Sequence, residues 1–250
     1  MKHLFFLAAL LLLFAGCGSG QPETTDVPDP PAPETTLPAE TEPLHTELYI
    51  PGVTAEEVCL YFREVCLAAE FVNGGDPSLL QKWDIPIWIA VHGEPTEADR
   101  ITLRTFLSDL NKIEGFPGIS ETDDPLLANL HLYFCSQQEL LDRMGEEYAG
   151  LDGAVTFWYN NNAIYDAIIC CRTDLSQELR NSVILEELYN GLGPIQDTVL
   201  RPDSIIWQEF SQPQSLTEMD TLILKLLYHP EMQCGMHAEE CEAVIRELYY

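Results

Sequence analysis

The run Val183-Ile184-Leu185-Glu186-Glu187-Leu188-Tyr189-Asn190-Gly191-Leu192-Gly193 places two adjacent carboxylates in an otherwise apolar helix pattern. A carboxylate there can be a solvated surface group, or it can serve a site as acid, base or ligand. Glu187 fits two roles equally: a helix carboxylate that is solvated or bonded to Ser204 or Tyr189, and a member of a site. Glu186 reads first as a surface residue, and Asn190 before Gly191 as a helix stop. Gly193-Pro194 reads as a chain reversal, and Asp203-Ser204 as a turn held by side-chain to backbone bonds. Cys234-x-x-His237-x-x-x-Cys241 has a spacing that could hold a metal, but three ligands near a chain end are a weak signal against disulfide bonding or simple burial. No G-x-S-x-G elbow, phosphate-cradling glycine loop or dinucleotide fingerprint is present, and nothing local marks one cysteine as a nucleophile.

The elements that must position these residues are legible from periodicity. Thr54-Ala-Glu-Glu opens a helix running toward Phe71 and stopped at Asn73-Gly74-Gly75, and Ile85 to Val91 reads as a strand. Thr96-Glu-Ala-Asp starts a second helix that closes at Gly115, with a short strand near Ile119 and a longer one over 128–135. A helix over 137–147 comes next. Strands at 153–159 and 163–171 are joined through Asn160-Asn161-Asn162, since asparagine tolerates positive φ. Asp174 is the expected N-cap of a helix over 175–192, and two further helices lie over 216–228 and 238–248. Aromatic residues at Phe157, Trp158, Tyr159 and Trp207 stand as core or as the lining of a cleft. This succession predicts an α+β layer arrangement.

The N-terminus sets the compartment. Residues 1–17 carry a basic start at Lys2, an apolar run from Leu4 to Ala15, and a stop at Gly16-Cys17, which is a secretory signal too short to span a bilayer. Residues 18–48 form a tether with prolines at 22, 28, 30, 31, 33, 38 and 43 and no Lys or Arg up to Glu47, a composition that cannot bury enough apolar surface to fold. Residues 49–250 then make one globular domain. The net charge of −29 is spread along the chain, which disfavours nucleic acid and anionic headgroups as partners. Seven cysteines besides Cys17 leave at least one thiol unpaired within a monomer. Cys59 and Cys66 on one helix would be roughly 10 Å apart, too far to bond to each other.

Leu13-Phe14-Ala15-Gly16-Cys17 resembles the lipobox of bacterial lipoproteins, which implies acylation of Cys17 and an extracytoplasmic protein held to the membrane by a lipid anchor. From about Ile85 to Tyr250, and most clearly in the helix at 175–192, the chain resembles the zincin-like metalloprotease fold, and most closely the family of bacterial lipoproteins with a DUF2927 domain. In zincins this helix carries H-E-x-x-H, extended in the long form through a glycine to a third ligand; two imidazoles grip zinc and the glutamate activates water. The resemblance puts Glu186 and Asn190 at the two histidine positions, Glu187 at the general base, Gly193 at the turn glycine, and Gln196 or Asp197 near the third ligand. Asp203-Ser204-Ile205-Ile206 resembles the turn beneath the metal, with Ile206 in place of methionine, and Leu216 to Asp220 resembles the closing helix. The fold it implies is α+β and zincin-like, a mixed sheet with a backing helix, a former active-site helix after the last strand, and a helical C-terminal part.

The departures set the functional expectation. Both histidine positions are lost, and none of the histidines at 3, 45, 92, 131, 229 and 237 falls in that helix or the turn after it. An asparagine amide is a feeble ligand, and without metal nothing brings the pKa of water toward neutrality. The expected protein therefore has no zinc and no hydrolytic activity, and binds a peptide or envelope protein in the old substrate groove beside an edge strand between 153 and 171. The rival is a peptidase or other hydrolase using an atypical metal site or Glu187 with water. A third reading is a purely structural surface protein.

Overall fold

Four helices open on the same device. Thr54, Thr96, Ser136 and Thr217 each accept a hydrogen bond from the third helical residue while that residue's carboxylate reaches back to the cap, so orphan amides at each helix start are satisfied. In the computed structural model, which describes residues 48–67, 78–209 and 211–249, these begin α1 (Ala55–Cys66), α2 (Glu97–Leu110), α3 (Gln137–Met144) and α5 (Glu218–Leu227). Two more helices are α4 (Gln177–Asn190) and α6 (Ala238–Leu248). The strands are β1 (Lys82–Trp83), β2 (Ile87–Gly93), β3 (Ile119–Glu121), β4 (Leu130–Cys135), β5 (Gly153–Asn160) and β6 (Ala163–Arg172). The signal, Cys17, the tether up to residue 47 and the Asn73-Gly74-Gly75 stop lie outside the described residues.

The fold is α+β, as the succession of elements predicts. One sheet runs in the order β1-β6-β4-β2-β3, all neighbours parallel, and β5 pairs antiparallel to β6. Along one side of β6, β1 meets Ala163 and Ile164 and β4 takes over from Ala167 to Arg172. β5 spans that same length of β6, so it occupies the other side and forms the sheet's edge. Of the two strands expected to offer an edge, β5 does so and β6 is interior. The turn between them has Asn161 at φ 50° and Asn162 at φ 64°, the positive-φ pair that a two-residue hairpin connection requires. Beyond it, one extra residue on β6 near Tyr165 makes a bulge opposite Trp158 and Tyr159.

Alternation along the strands divides the two faces. Ile87, Ile89, Leu130, Leu132, Phe134, Ala167, Ile169 and Cys171 join the main core with α1, α2, α4, α5 and α6. On the opposite face Cys135 and Cys170 pack with Leu140 of α3 in a smaller cluster.

Several boundaries differ from the sequence expectation for local reasons. β2 begins at Ile87 because Pro86 has no N–H to give the ladder and Ile85 is exposed. α2 ends at Leu110 rather than Gly115, and α3 ends at Gly145, whose φ of 121° stops it short of Glu147. Ser176, not Asp174, caps α4: its hydroxyl accepts from the Leu179 amide, while the Asp174 carboxylate is taken by Arg172. β1, which the sequence pattern does not announce, is held by Lys82, whose ammonium donates to the carbonyls of Leu227 at 2.9 Å and Met232 at 2.5 Å.

Candidate functional site

α4 is fixed at both ends. At its start, Arg180 pairs with the fully buried Asp99 of α2, which also accepts from Gln177 Nε2 at 2.7 Å and the Thr96 amide at 2.8 Å. Burial alone would raise the Asp99 carboxyl, but these hydrogen bonds from Gln177, Thr96 and Arg180 hold it below its ordinary range. At the other end the carbonyls left over by the helix find donors: Trp83 Nε1 to Gly191 O at 2.9 Å and Tyr228 OH to Leu192 O at 2.7 Å. Gly193 then reverses the chain at φ 126°, where a Cβ would stand 2.7 Å from the Gln81 carbonyl, so only glycine fits.

The returning segment is pinned along its length. The Gln196 amide donates to Val65 O at 3.2 Å, Thr198 N to Ile206 O at 2.9 Å, and Val199 N to Glu64 Oε1 at 2.9 Å. Beneath it, Ser204 sits at the centre of a buried polar network. Its hydroxyl accepts from Tyr61 OH at 2.9 Å and donates to Asp220 at 2.6 Å, and Asp220 also accepts from the Ile205 amide and from Thr217. Ile205 and Ile206 are wholly buried below the segment. Asp203 has a different task and pairs with Arg201 at the surface.

These constraints form one side of a groove of about 600 Å³. α4 contributes Ser182, Val183, Glu186, Glu187 and Asn190; β5 contributes Gly153 to Phe157 and Tyr159; Ile195, Asp197, Trp207, Glu209 and Ser211 come from beyond the turn, and Glu147, Tyr148 and Gly150 to Asp152 from the approach to β5. Glu186, Glu187, Asn190 and Asp197 are therefore brought together, whereas Gln196 is outside the lining. Phe157, Tyr159 and Trp207 line the groove, while Trp158, on the alternate face, does not. Asp152 and Glu147, which the sequence does not single out, enter through the approach to β5, a relation no local pattern carries.

Contact across the groove is close. A Cβ at Gly153 would meet Glu187 Oε1 at 2.6 Å and Val183 Cγ1 at 2.6 Å. The buried Glu187 carboxyl is pushed well above its ordinary value, first by desolvation and then by the nearby Glu186 and Asp197. Desolvation and Asp197, with Asp152, push Glu186 up to about 8. Asn190 Nδ2 donates to Asp197 Oδ1 at 3.3 Å, and Asn190 Oδ1 is buried with no hydrogen-bond partner among the described residues.

Zinc fits this donor set poorly. Zinc favours imidazole and thiolate, whereas the residues at the resembling positions are carboxylates and an amide, and the nitrogen of that amide is engaged with the carboxylate that would be the third ligand. Among the described residues no group of three or more His, Cys, Asp and Glu side chains is arranged to hold a metal ion. Cys234, His237 and Cys241 do not converge: Cys234 Sγ faces the Lys82 carbonyl, His237 opens α6, and Cys241 is in the core.

The model of the family described as protein of unknown function, DUF2927, matches residues 55–247, from the start of α1 into the last turn of α6. The chain belongs to the DUF2927 family. The match covers every element that builds the groove, so the site lies inside the DUF2927 domain. No curated protein matches the chain. No helix among the described residues is long and apolar enough to cross a membrane.

Proposed function

We propose that this DUF2927 protein is an extracytoplasmic lipoprotein, anchored through Cys17, whose zincin-like domain binds an extended peptide in the groove and does not hydrolyse it. The observation that carries the reading is the pairing of β5. It has one strand partner, β6, among the described residues, and its length borders the groove floored by α4. An unpaired strand edge beside a groove offers main-chain hydrogen bonds to a peptide laid alongside, and the pockets between alternate side chains give selectivity.

The state of Glu187 supports the second half. A residue that activates water must be ionised to accept its proton, and burial, with Glu186 and Asp197 nearby, raises the Glu187 carboxyl well above its ordinary value, which favours the protonated form. Among the described residues no imidazole lines the groove to take over that role.

Strand addition is tested with pentapeptides bound to the full chain and compared with versions N-methylated at alternate residues. Loss of binding on methylation at one alternate set supports the reading; indifference to methylation at every position contradicts it. For the anchor, Cys17→Ser should abolish incorporation of labelled palmitate and release the protein from membranes, and unchanged labelling contradicts it.

A further inference from the structure

We infer that the face of the sheet turned away from the main core is a saccharide-binding platform, on which Trp88 and Trp158 stack the rings of a neutral, β-1,4-linked oligosaccharide. Neither tryptophan lines the groove, so this site is separate from the peptide reading and does not rest on it.

Strand pairing puts four residues in one row across β2, β4, β6 and β5. Asn129 N donates to Trp88 O at 3.0 Å and Ala167 N to Asn129 O at 2.9 Å, which aligns Trp88, Asn129 and Asp166, and Asp166 pairs directly with Trp158. Alternation fixes the side they take: Ile87 and Ile89 flank Trp88 in the core, and Ala167 beside Asp166 is in the core, so Trp88 and Asp166 point the other way and Trp158 with them. α3 packs on the far end of this face through Leu140 against Cys135 and Cys170, and leaves Trp88 46% and Trp158 40% exposed. The two tryptophans stand three strand spacings apart, about 14 Å, a span covered by about three pyranose rings.

An indole face accepts the aliphatic C–H side of a sugar ring, which removes apolar surface of both from water. Between the two rings the face is polar and held in place. Asp166 is half-buried; desolvation raises its carboxyl, and the nearby His131 imidazole pulls it back in part. His131 Nδ1 lies 3.0 Å from His92 Nε2, His92 stacks on Tyr133, and Arg143 lies over the Tyr133 ring. The Asp166 carboxylate and the other ring nitrogen of His131 are then placed to bond sugar hydroxyls, which both donate and accept. Asn129 accepts from Trp88 N at 2.7 Å and donates to Pro86 O at 3.0 Å, which fixes the strand end that carries Trp88. Charge selects among occupants. In a chain of net charge −29, this face sets Asp166 against Arg143 and two imidazoles, a balance that draws neither a polycation nor a polyanion and suits a neutral, polyhydroxylated ligand. Two rings parted by a carboxylate also lack the continuous apolar centre of a protein interface.

The test titrates the purified full chain with cellohexaose and chitohexaose, both neutral and β-1,4-linked, and with the disaccharide of each. At least one hexasaccharide is expected to bind, one per chain, about tenfold or more tighter than its disaccharide, which cannot reach from one ring to the other. Trp88→Ala and Trp158→Ala should each weaken that binding about tenfold or more, and Trp88→Tyr and Trp158→Tyr, which keep a ring, should lose less. The length dependence in the unaltered protein needs no variant to fold. No binding of either hexasaccharide, equal affinity for long and short sugars, or indifference to both alanine replacements overturns the inference. So does self-association of the chain that either replacement abolishes, which would make this face an interface between copies.

Discussion

Gly153 on β5 and Glu187 on α4 approach so closely that a Cβ on the glycine would stand 2.6 Å from Glu187 Oε1. The absence of a side chain at Gly153 is what lets the strand lie over the helix with the carboxyl between them. Gly153→Ala should therefore cost about 1–3 kcal/mol, the usual penalty for overpacking a close contact. Placing Glu187→Ala in the same chain should restore part of the loss, because the two positions share one contact. Urea unfolding of the two single variants and the double variant measures the coupling, and simple additivity would show that the contact does not set the strand's position.

The turn below the groove gives a second prediction. Ser204 joins Tyr61 to Asp220, and all three are buried. Ser204→Ala leaves both partners short of a hydrogen bond and should destabilise the domain by about 1–3 kcal/mol. Ser204→Thr, which keeps the hydroxyl, should lose less if its methyl is accommodated. A Ser204→Ala variant with an unchanged unfolding midpoint would remove this network from the account.

Much of this arrangement is written locally, and the rest is not. The capping boxes at Thr54 and Thr96 are short-range signals because a hydroxyl and a carboxylate three residues apart can satisfy each other within one turn. Asn161 and Asn162 announce the hairpin for a similar reason, since few residue types tolerate their φ. β1 carries no such mark: two residues have no periodicity, and Lys82 is placed by carbonyls of Leu227 and Met232, about 145 and 150 positions away. Asp174 looks like a cap until Arg172 claims its carboxylate. Glu186, Glu187, Asn190 and Asp197 are within reach of the sequence because a helix and one turn hold them, but Asp152 joins them only when β5 folds over α4.

Protonation of the groove predicts the pH profile of stability. Glu186 and Glu187 have folded pKa values raised above their ordinary 4.5. A carboxyl of this kind contributes stability that is complete below its unfolded pKa and is lost as pH rises through its folded pKa, about 8 for Glu186. The groups facing the pair are Asp152 from the start of β5, Asp197 from beyond the turn and the buried Cys171 thiol of β6. Asp99 has the opposite sign, and its contribution is lost only as pH falls below the ordinary 3.8, outside this window. The urea midpoint should thus fall between pH 5 and pH 8, and Glu186→Gln should flatten the decline. A midpoint that rises over that interval contradicts the protonation assigned to the groove.

The zincin-like reading makes a constructive prediction. Glu186 and Asn190 lie four residues apart on α4 and both face the groove with Asp197. The double variant Glu186→His/Asn190→His should acquire stoichiometric zinc, because imidazoles at that spacing on one helical face form half of a metal site. Metal analysis after dialysis decides it, with the unaltered chain as reference. Failure of the double variant to bind zinc while remaining folded would count against the zincin-like geometry.

The central claim, a groove that holds a peptide without cutting it, is tested most directly by incubating the purified full chain with a mixed peptide library and following both cleavage and metal content. The account predicts no cleavage above buffer, no stoichiometric transition metal, and no change on adding a chelator. Cleavage that disappears with chelator and in Glu187→Gln, together with one tightly held metal per chain, would contradict it.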